Sequence, residues 1–241
     1  MELINDYEIQ KNIGQGGFSK IYKAFDKKNK RFCALKIIDT KLIDKSNEKD
    51  YLLNMIMHEI KIMKLCKSAN FVEIYDFFQT KDSFVIVMEL CDTDLENYIK
   101  DYKNKNEYIK ISIIQQLFKD LNNAIEILYK NHVIHRDIKP SNIFLKIENG
   151  KIIPKLGDFG ISIISNKNYE INYNKIGTLN YIAPEVMKGS FYNYKIDLYS
   201  LGCVLYYALF LDEYYIDLIM GDSFKIEELL KGQKFHNVKN Y

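Results

Sequence analysis

The chain changes its hydrophobic period near residue 91. Before that point, apolar and β-branched residues come in short runs at 7–13, 20–24, 31–38, 71–78 and 83–89, separated by clusters of Gly, Asn, Asp and Lys. Runs of that length and punctuation predict the strands of one small sheet. One helix interrupts them. Over 50–67, Leu52, Leu53, Ile56, Ile60 and Met63 recur at three- and four-residue steps, a stripe that a helix would bury against the sheet.

After residue 91 the helical period dominates. Ile113, Leu117, Leu121, Ile125 and Leu128 mark a long amphipathic helix, opened by the capping-box pattern Ser112-x-x-Gln115. Asn149-Gly150, between runs at 142–147 and 152–156, predicts a tight hairpin, because both residues tolerate the positive φ that such a turn requires. The apolar stretch 198–211 is shorter than the roughly 20 residues that span a bilayer. It carries Ser200 and several tyrosines and predicts a buried helix. A sheet-rich first half and a helical second half define an α+β chain. Its 241 residues suit one large domain or two small lobes around a cleft.

Composition and charge narrow the classes. Thirty-four Lys and Arg against thirty-two Asp and Glu leave a net charge of +2, without the basic excess of a non-specific nucleic-acid binder. Cys33, Cys66, Cys91 and Cys203 form no C-x-x-C pair, so reduced thiols are expected. The N-terminus lacks a basic region followed by an apolar run, so neither a signal peptide nor a membrane anchor is expected. The expected location is cytoplasmic, with the nucleus open.

Candidate chemistry sits in four places. Ile13-Gly14-Gln15-Gly16-Gly17-Phe18-Ser19-Lys20-Ile21 puts glycines at the bend between two strands, where missing Cβ atoms let backbone N–H groups approach phosphate oxygens. Such a turn can equally be structural alone. Lys36 lies in the third strand run and Glu59 on the helix after it, so an ion pair could hold the ammonium against phosphates. His135-Arg136-Asp137-Ile138-Lys139-Pro140-Ser141-Asn142 gathers a carboxylate, a cation and an amide in one loop. Asp137 can orient a hydroxyl and accept its proton, Lys139 can offset charge, and Asn142 can hold a metal ion. Asp158-Phe159-Gly160 adds a second metal carboxylate beside a glycine.

These motifs, in this order, resemble the eukaryotic protein kinase family over about 7–230, with Gly177-Thr178-Leu179-Asn180-Tyr181-Ile182-Ala183-Pro184-Glu185 closing the activation segment and Asp197-Leu198-Tyr199-Ser200-Leu201-Gly202 opening the central buried helix. The resemblance implies a bilobal fold with an N-lobe at 6–90 and a C-lobe at 91–241. It also implies transfer of a phosphoryl group from ATP, with Mg2+, to a protein hydroxyl. Met88 would be the gatekeeper, Glu89 and Cys91 would offer backbone groups to adenine, and Ile21, Ala34 and Phe144 would enclose the base. Met63, Ile74, His135 and Phe159 would stack between the lobes, and Asp197 would brace the catalytic loop. Lys139 and Thr178 match the serine/threonine branch. A kinase-fold scaffold with little turnover is the alternative, and ATP turnover separates the two.

Several positions depart from the family pattern. Ser141 and Tyr207 replace acidic residues associated with basic substrates, so strong selection of upstream arginines is not expected. Arg136 would ordinarily clamp an activation-segment phosphate, but the corresponding residue is Asn174; Tyr173, Tyr169, Ser165 and Ser162 remain as acceptors. Tyr199 stands where Trp is usual, and Ser19 at the third glycine. After 222–230, which resembles the helix following the central one, the sequence stops at Tyr241. Two family helices are absent, with the arginine that would pair Glu185. A fragment, a partner covering the exposed surface, or a minimal lobe would each account for this.

Overall fold

Side-chain alternation along the strands puts one face of a sheet against a helix. The structure, a computed structural model, describes residues 3–16, 19–40, 46–165 and 176–212, with side chains of the first helix from residue 52. Strands β1 (Leu3–Ile4), β2 (Tyr7–Gln15), β3 (Ser19–Asp26) and β4 (Arg31–Asp39) precede helix α1 (Ser46–Leu65), and β5 (Ile74–Gln79) and β6 (Ser83–Glu89) follow it. They form one antiparallel sheet in the order β1-β2-β3-β4-β6-β5.

Register sorts this sheet by period two. Cys33, Leu35, Val85 and Val87 bury on one face with Tyr7 and Ala24. Ile38, Phe84 and Ile86 bury on the other, against Ile56 and Ile60 of α1. Ile21 pairs with Lys36, Lys36 with Ile86, and Ala34 with Met88. The same parity that buries Ile38 therefore brings Ile21, Ala34, Lys36 and Met88 to the α1 face.

The second half adds β7 (Thr93–Asp94), α2 (Leu95–Asn104), α3 (Ile111–Lys130), β8 (Val133–Ile134), β9 (Ile143–Glu148), β10 (Lys151–Leu156), β11 (Ile163–Ile164), α4 (Pro184–Met187) and α5 (Lys195–Phe210). Ile114, Leu117, Leu121, Ile125 and Leu128 of α3 and Val204 and Ala208 of α5 share one core with Leu95, Ile99, Ile143 and Leu145. That core also takes in Ile62, Met63 and Cys66, so the end of α1 is buried with the helical half.

Most predicted elements are present, with several changes of boundary and one of cap. The run 71–78 becomes a strand only from Ile74, because Val72 N–H donates to Leu156 O and Asn70 O accepts from Leu156 N–H. The backbone there is bonded to β10, so Phe71 forms a bridge with Leu156. Helix α1 begins at Ser46, ahead of the expected Asp50. The Ser112 capping box is corrected: Lys110 is the N-cap, without a side-chain bond, and its carbonyl accepts from the N–H groups of Ile113 and Ile114. Ser112 therefore lies inside α3. Helix α2, capped by Asp94 accepting from Asn97 N–H at 2.7 Å, was not expected from the sequence. The Asn149-Gly150 hairpin forms with φ of 50° and 77°.

Candidate active site

Lys36 projects from β4 toward α1 and meets the carboxylate of Glu59 at 2.7 Å. Asp158 Oδ1 lies 3.9 Å from the same ammonium. Burial alone would lower the Lys36 pKa, yet Glu59 and Asp158 outweigh it and hold the lysine above its ordinary value. The pair is nearly dry, with side-chain exposures of 16% and 7%, so its attraction is little screened. Asp158 itself is half exposed and adopts φ of 59°.

The loop between β8 and β9 assembles a second cluster. Lys139 Nζ lies 2.9 Å from Asp137 Oδ2, and Asn142 Nδ2 donates to Asp137 O at 2.9 Å and to Oδ2 at 3.0 Å. Thr178, from the far side of the activation segment, donates to Asp137 Oδ1 at 2.7 Å and accepts from Lys139 Nζ at 2.9 Å. Burial pushes the Asp137 carboxyl up. The bonds from Lys139 and Thr178, with the Lys139 charge, outweigh it and hold the group below the usual carboxylate range. Asp137 is thus an ionised, partly buried carboxylate with both oxygens directed by neighbours.

Two further groups fix this loop. Buried Asp197, in the first turn of α5, accepts from the N–H of His135 at 2.8 Å and of Arg136 at 2.9 Å. Arg136 sits at φ 69°, a left-handed conformation that needs such support. His135 Nε2 contacts Gly157 O at 3.1 Å, and its ring lies 5.0 Å from that of Phe159. Met63 and Phe159 belong to the main core, and Ile74 packs against that core. Of the expected stack of Met63, Ile74, His135 and Phe159, the His135–Phe159 contact is the one the rings make.

With its Nδ2 turned to Asp137, Asn142 keeps Oδ1 as the acceptor end of its amide. Its backbone carbonyl accepts Gly157 N–H at 3.0 Å, drawing the residue before Asp158 onto it. Among the described residues no three His, Cys, Asp or Glu side chains gather as a metal centre. An amide oxygen and a carboxylate are hard donors that suit Mg2+, which keeps waters and phosphate oxygens in its remaining positions. The donor set fits that ion.

Gly14 pairs with Ile21, and Gly16 N–H donates to Ser19 O at 2.7 Å, closing the β2–β3 turn. A Cβ on Gly16 would lie 2.8 Å from Ser19 Oγ, so a larger residue there would turn that hydroxyl aside. Ile13 falls at a bulge in the β2–β3 pairing and is exposed, and Gln15 pairs with Lys20. Gly17 and Phe18 lie outside the described residues. In the linker, Glu89 meets Lys155 at 2.9 Å, Lys146 donates to Leu90 O at 2.8 Å, and Asp92 N–H donates to Leu145 O at 3.0 Å. Burial, aided by Glu89, pushes the Cys91 thiol up to about 12, so it stays protonated.

Some expectations change. Ser162 is buried and donates to His135 O at 3.0 Å, and Ser165 is also buried, so neither is presented for modification. Tyr207 is buried in the main core rather than facing a substrate. Arg136 directs Nε to Ile161 O at 2.6 Å and Nη1 to the Tyr192 hydroxyl at 3.3 Å. Tyr169, Tyr173, Asn174 and the helix expected at 222–230 lie outside the described residues. Sequence reasoning used Thr178 only to choose a branch and missed its bond to Asp137; its place directly after Gly177, which has φ of 113°, was the available signal.

The chain resembles known proteins along most of its length. A family model described as "protein kinase domain" matches residues 7–236. The chain is 32% identical over 214 residues to "Serine/threonine-protein kinase atg1" of Dictyostelium discoideum, covering 87% of this chain and 31% of that protein. It is 35% identical over 206 residues to "Serine/threonine-protein kinase Nek5" of Homo sapiens, covering 84% and 28%. With "Serine/threonine-protein kinase PLK4" of Aedes aegypti it shares 31% over 205 residues, covering 84% and 25%. The chain thus spans about a quarter to a third of the length of these relatives.

Proposed function

Since the chain belongs to the protein kinase domain family, we propose that it transfers the γ-phosphoryl group of Mg–ATP to a serine or threonine hydroxyl of another protein. The observation that carries this is the Asp137 cluster: an ionised carboxylate held by Lys139, Asn142 and Thr178, with the Lys36–Glu59 pair closed.

In this mechanism Asp137 orients the incoming hydroxyl and takes its proton as the oxygen attacks the γ-phosphorus. The bond to the β,γ-bridging oxygen breaks, and ADP leaves with that oxygen. Lys139, 2.9 Å from Asp137, offsets negative charge on the transferred group. Lys36, kept protonated by Glu59, holds the phosphates of the nucleotide. Asn142 Oδ1 and Asp158 would hold Mg2+, which would supply positive charge to offset that of the phosphates. Gly14 and Gly16 offer close backbone approach, while Ile21, Ala34, Met88 and Phe144 enclose the base and Glu89 and Cys91 offer linker backbone groups.

Serine and threonine selection is supported by the Lys139–Thr178–Asp137 contacts and by the printed names of the relatives. Upstream arginines are not selected in this proposal, since Ser141 carries no charge to meet them.

The test is a Mg-dependent phosphotransfer assay on purified protein with generic protein substrates and Asp137→Asn as control. Turnover should fall by roughly 10²- to 10⁴-fold in the variant while ATP binding persists. Unchanged turnover in Asp137→Asn, or a folded wild-type chain that binds ATP without transferring phosphate, overturns the proposal.

A further inference from the structure

Lys146 takes no part in the chemistry above, yet it reaches from β9 to the linker that follows β6. Its ammonium donates to Leu90 O at 2.8 Å, across 56 residues of sequence. Its two neighbours in β9 bond the linker as well: Leu145 O accepts from Asp92 N–H at 3.0 Å, and Ile147 N–H donates to the Asp92 carboxylate at 2.7 Å. The contacts at Asp92 use the backbone of β9, which almost any residue supplies. The contact at Leu90 depends on the side chain at 146.

What Lys146 holds is the plane of one peptide. The carbonyl of Leu90 and the N–H of Cys91 belong to the same unit, and the described residues include no cis bond. In a planar trans unit the C=O and the N–H point in opposite directions. Drawing Leu90 O toward Lys146 therefore turns Cys91 N–H the other way. Among the described residues no backbone carbonyl accepts from that N–H, so it stands as a donor for a ligand. Adenine and guanine differ in what they offer such a donor: N1 of adenine carries a lone pair, whereas N1 of guanine carries a hydrogen. A donor of fixed direction pairs with the first and is left unpaired by the second.

We infer that Lys146 is a positioning residue for purine selectivity: by holding the Leu90 carbonyl, it fixes the Cys91 N–H as a donor to the adenine ring. This rests on the nucleotide site proposed above. Without the ammonium, the 90–91 peptide is free to tilt while Asp92 stays bonded to β9. The linker then keeps its place and loses the direction of one donor. Lys36 and Asp137, which serve the phosphates and the incoming hydroxyl, are not disturbed.

The experiment compares wild type, Lys146→Met and Lys146→Arg. Methionine keeps the apolar stem of lysine without its donor, and arginine restores a donor. Lys146 is only half-buried, so neither change opens a cavity in the core. Calorimetric affinities for Mg–ATP and Mg–GTP are measured for each protein, with KM for ATP, kcat and melting temperature. In Lys146→Met the affinity for ATP should fall about fivefold, as for one lost hydrogen bond, with affinity for GTP and kcat each within about twofold of wild type. The preference for ATP over GTP should narrow by about the same fivefold and return in Lys146→Arg. A general structural defect would instead weaken both nucleotides together and lower the melting temperature. An unchanged preference in Lys146→Met, an equal loss for both nucleotides, or an arginine variant no more selective than the methionine one overturns the inference. If wild type binds ATP but transfers no phosphate, the proposed function fails while the affinity series still decides this point. A wild type that binds no nucleotide overturns both.

Discussion

Replacing Glu59 with Gln tests how the nucleotide-facing lysine is held. The Lys36 ammonium has two anions, Glu59 at 2.7 Å and Asp158 at 3.9 Å. By distance alone Asp158 supplies 2.7/3.9, or about two-thirds, of the Glu59 attraction, and less in practice because it is half exposed. Gln keeps a carbonyl oxygen that can accept one hydrogen bond, so the loss is that of charge rather than of the bond. Breaking a buried pair outright costs about 3–5 kcal/mol; the retained bond and the nearby Asp158 reduce this to about 2 kcal/mol. Lys36 should lean toward Asp158 and leave its position over the phosphates. A displacement of about 1 Å is worth roughly 10²-fold in rate. With burial then opposed by Asp158 alone, the Lys36 pKa should fall. In the wild type, the stability contributed by the raised pKa is fully present below the ordinary lysine value and is lost as pH rises through the higher folded one. The variant should lose activity at lower alkaline pH. Denaturant unfolding and kcat/KM for ATP from neutral pH to above the ordinary lysine pKa measure both effects. Wild-type kcat/KM and an unmoved alkaline limb in Glu59→Gln would refute this account of the pair.

Thr178→Val removes one of the bonds that hold the Asp137 carboxyl below its usual range. The group should titrate higher, moving the acid limb of kcat/KM upward, and an unmoved limb would show that Thr178 does not govern the carboxylate. Stability from ionised Asp137 is present above the ordinary carboxylate pKa and lost as pH falls through the lower folded value, so Thr178→Val should also lose less stability between neutral pH and pH 3. Gly150→Ala places a Cβ at φ 77° in the β9–β10 turn, with nothing within 4 Å of it. It should cost about 1 kcal/mol by denaturant unfolding and leave KM for ATP unchanged.

Much of the fold was legible because it depends on local periodicity. Short β-type runs with polar punctuation identified β4 and β6, helical spacing identified α1 and α3, an unbroken apolar stretch marked α5, and Asn149-Gly150 marked its own turn through the positive φ that those residues tolerate. The helix start at Lys110 was not legible, because a backbone carbonyl took the capping role that Ser112 could have filled. Phe71 was assigned to the sheet because its side chain suits a strand, while its neighbours' backbone bonds went to Leu156. Residue type and order were enough to mark the side chains that could carry chemistry: Lys36, Glu59, Asp137, Lys139, Asn142 and Asp158. Their contacts came from folding. Strand register turned Lys36 toward Glu59, and two backbone N–H groups bonded to Asp197 fixed the loop that carries Asp137. Thr178 reached across 41 residues to complete the cluster. The bond from Lys146 to the linker was likewise invisible in one dimension, since it depends on distances between elements that residue order alone does not fix.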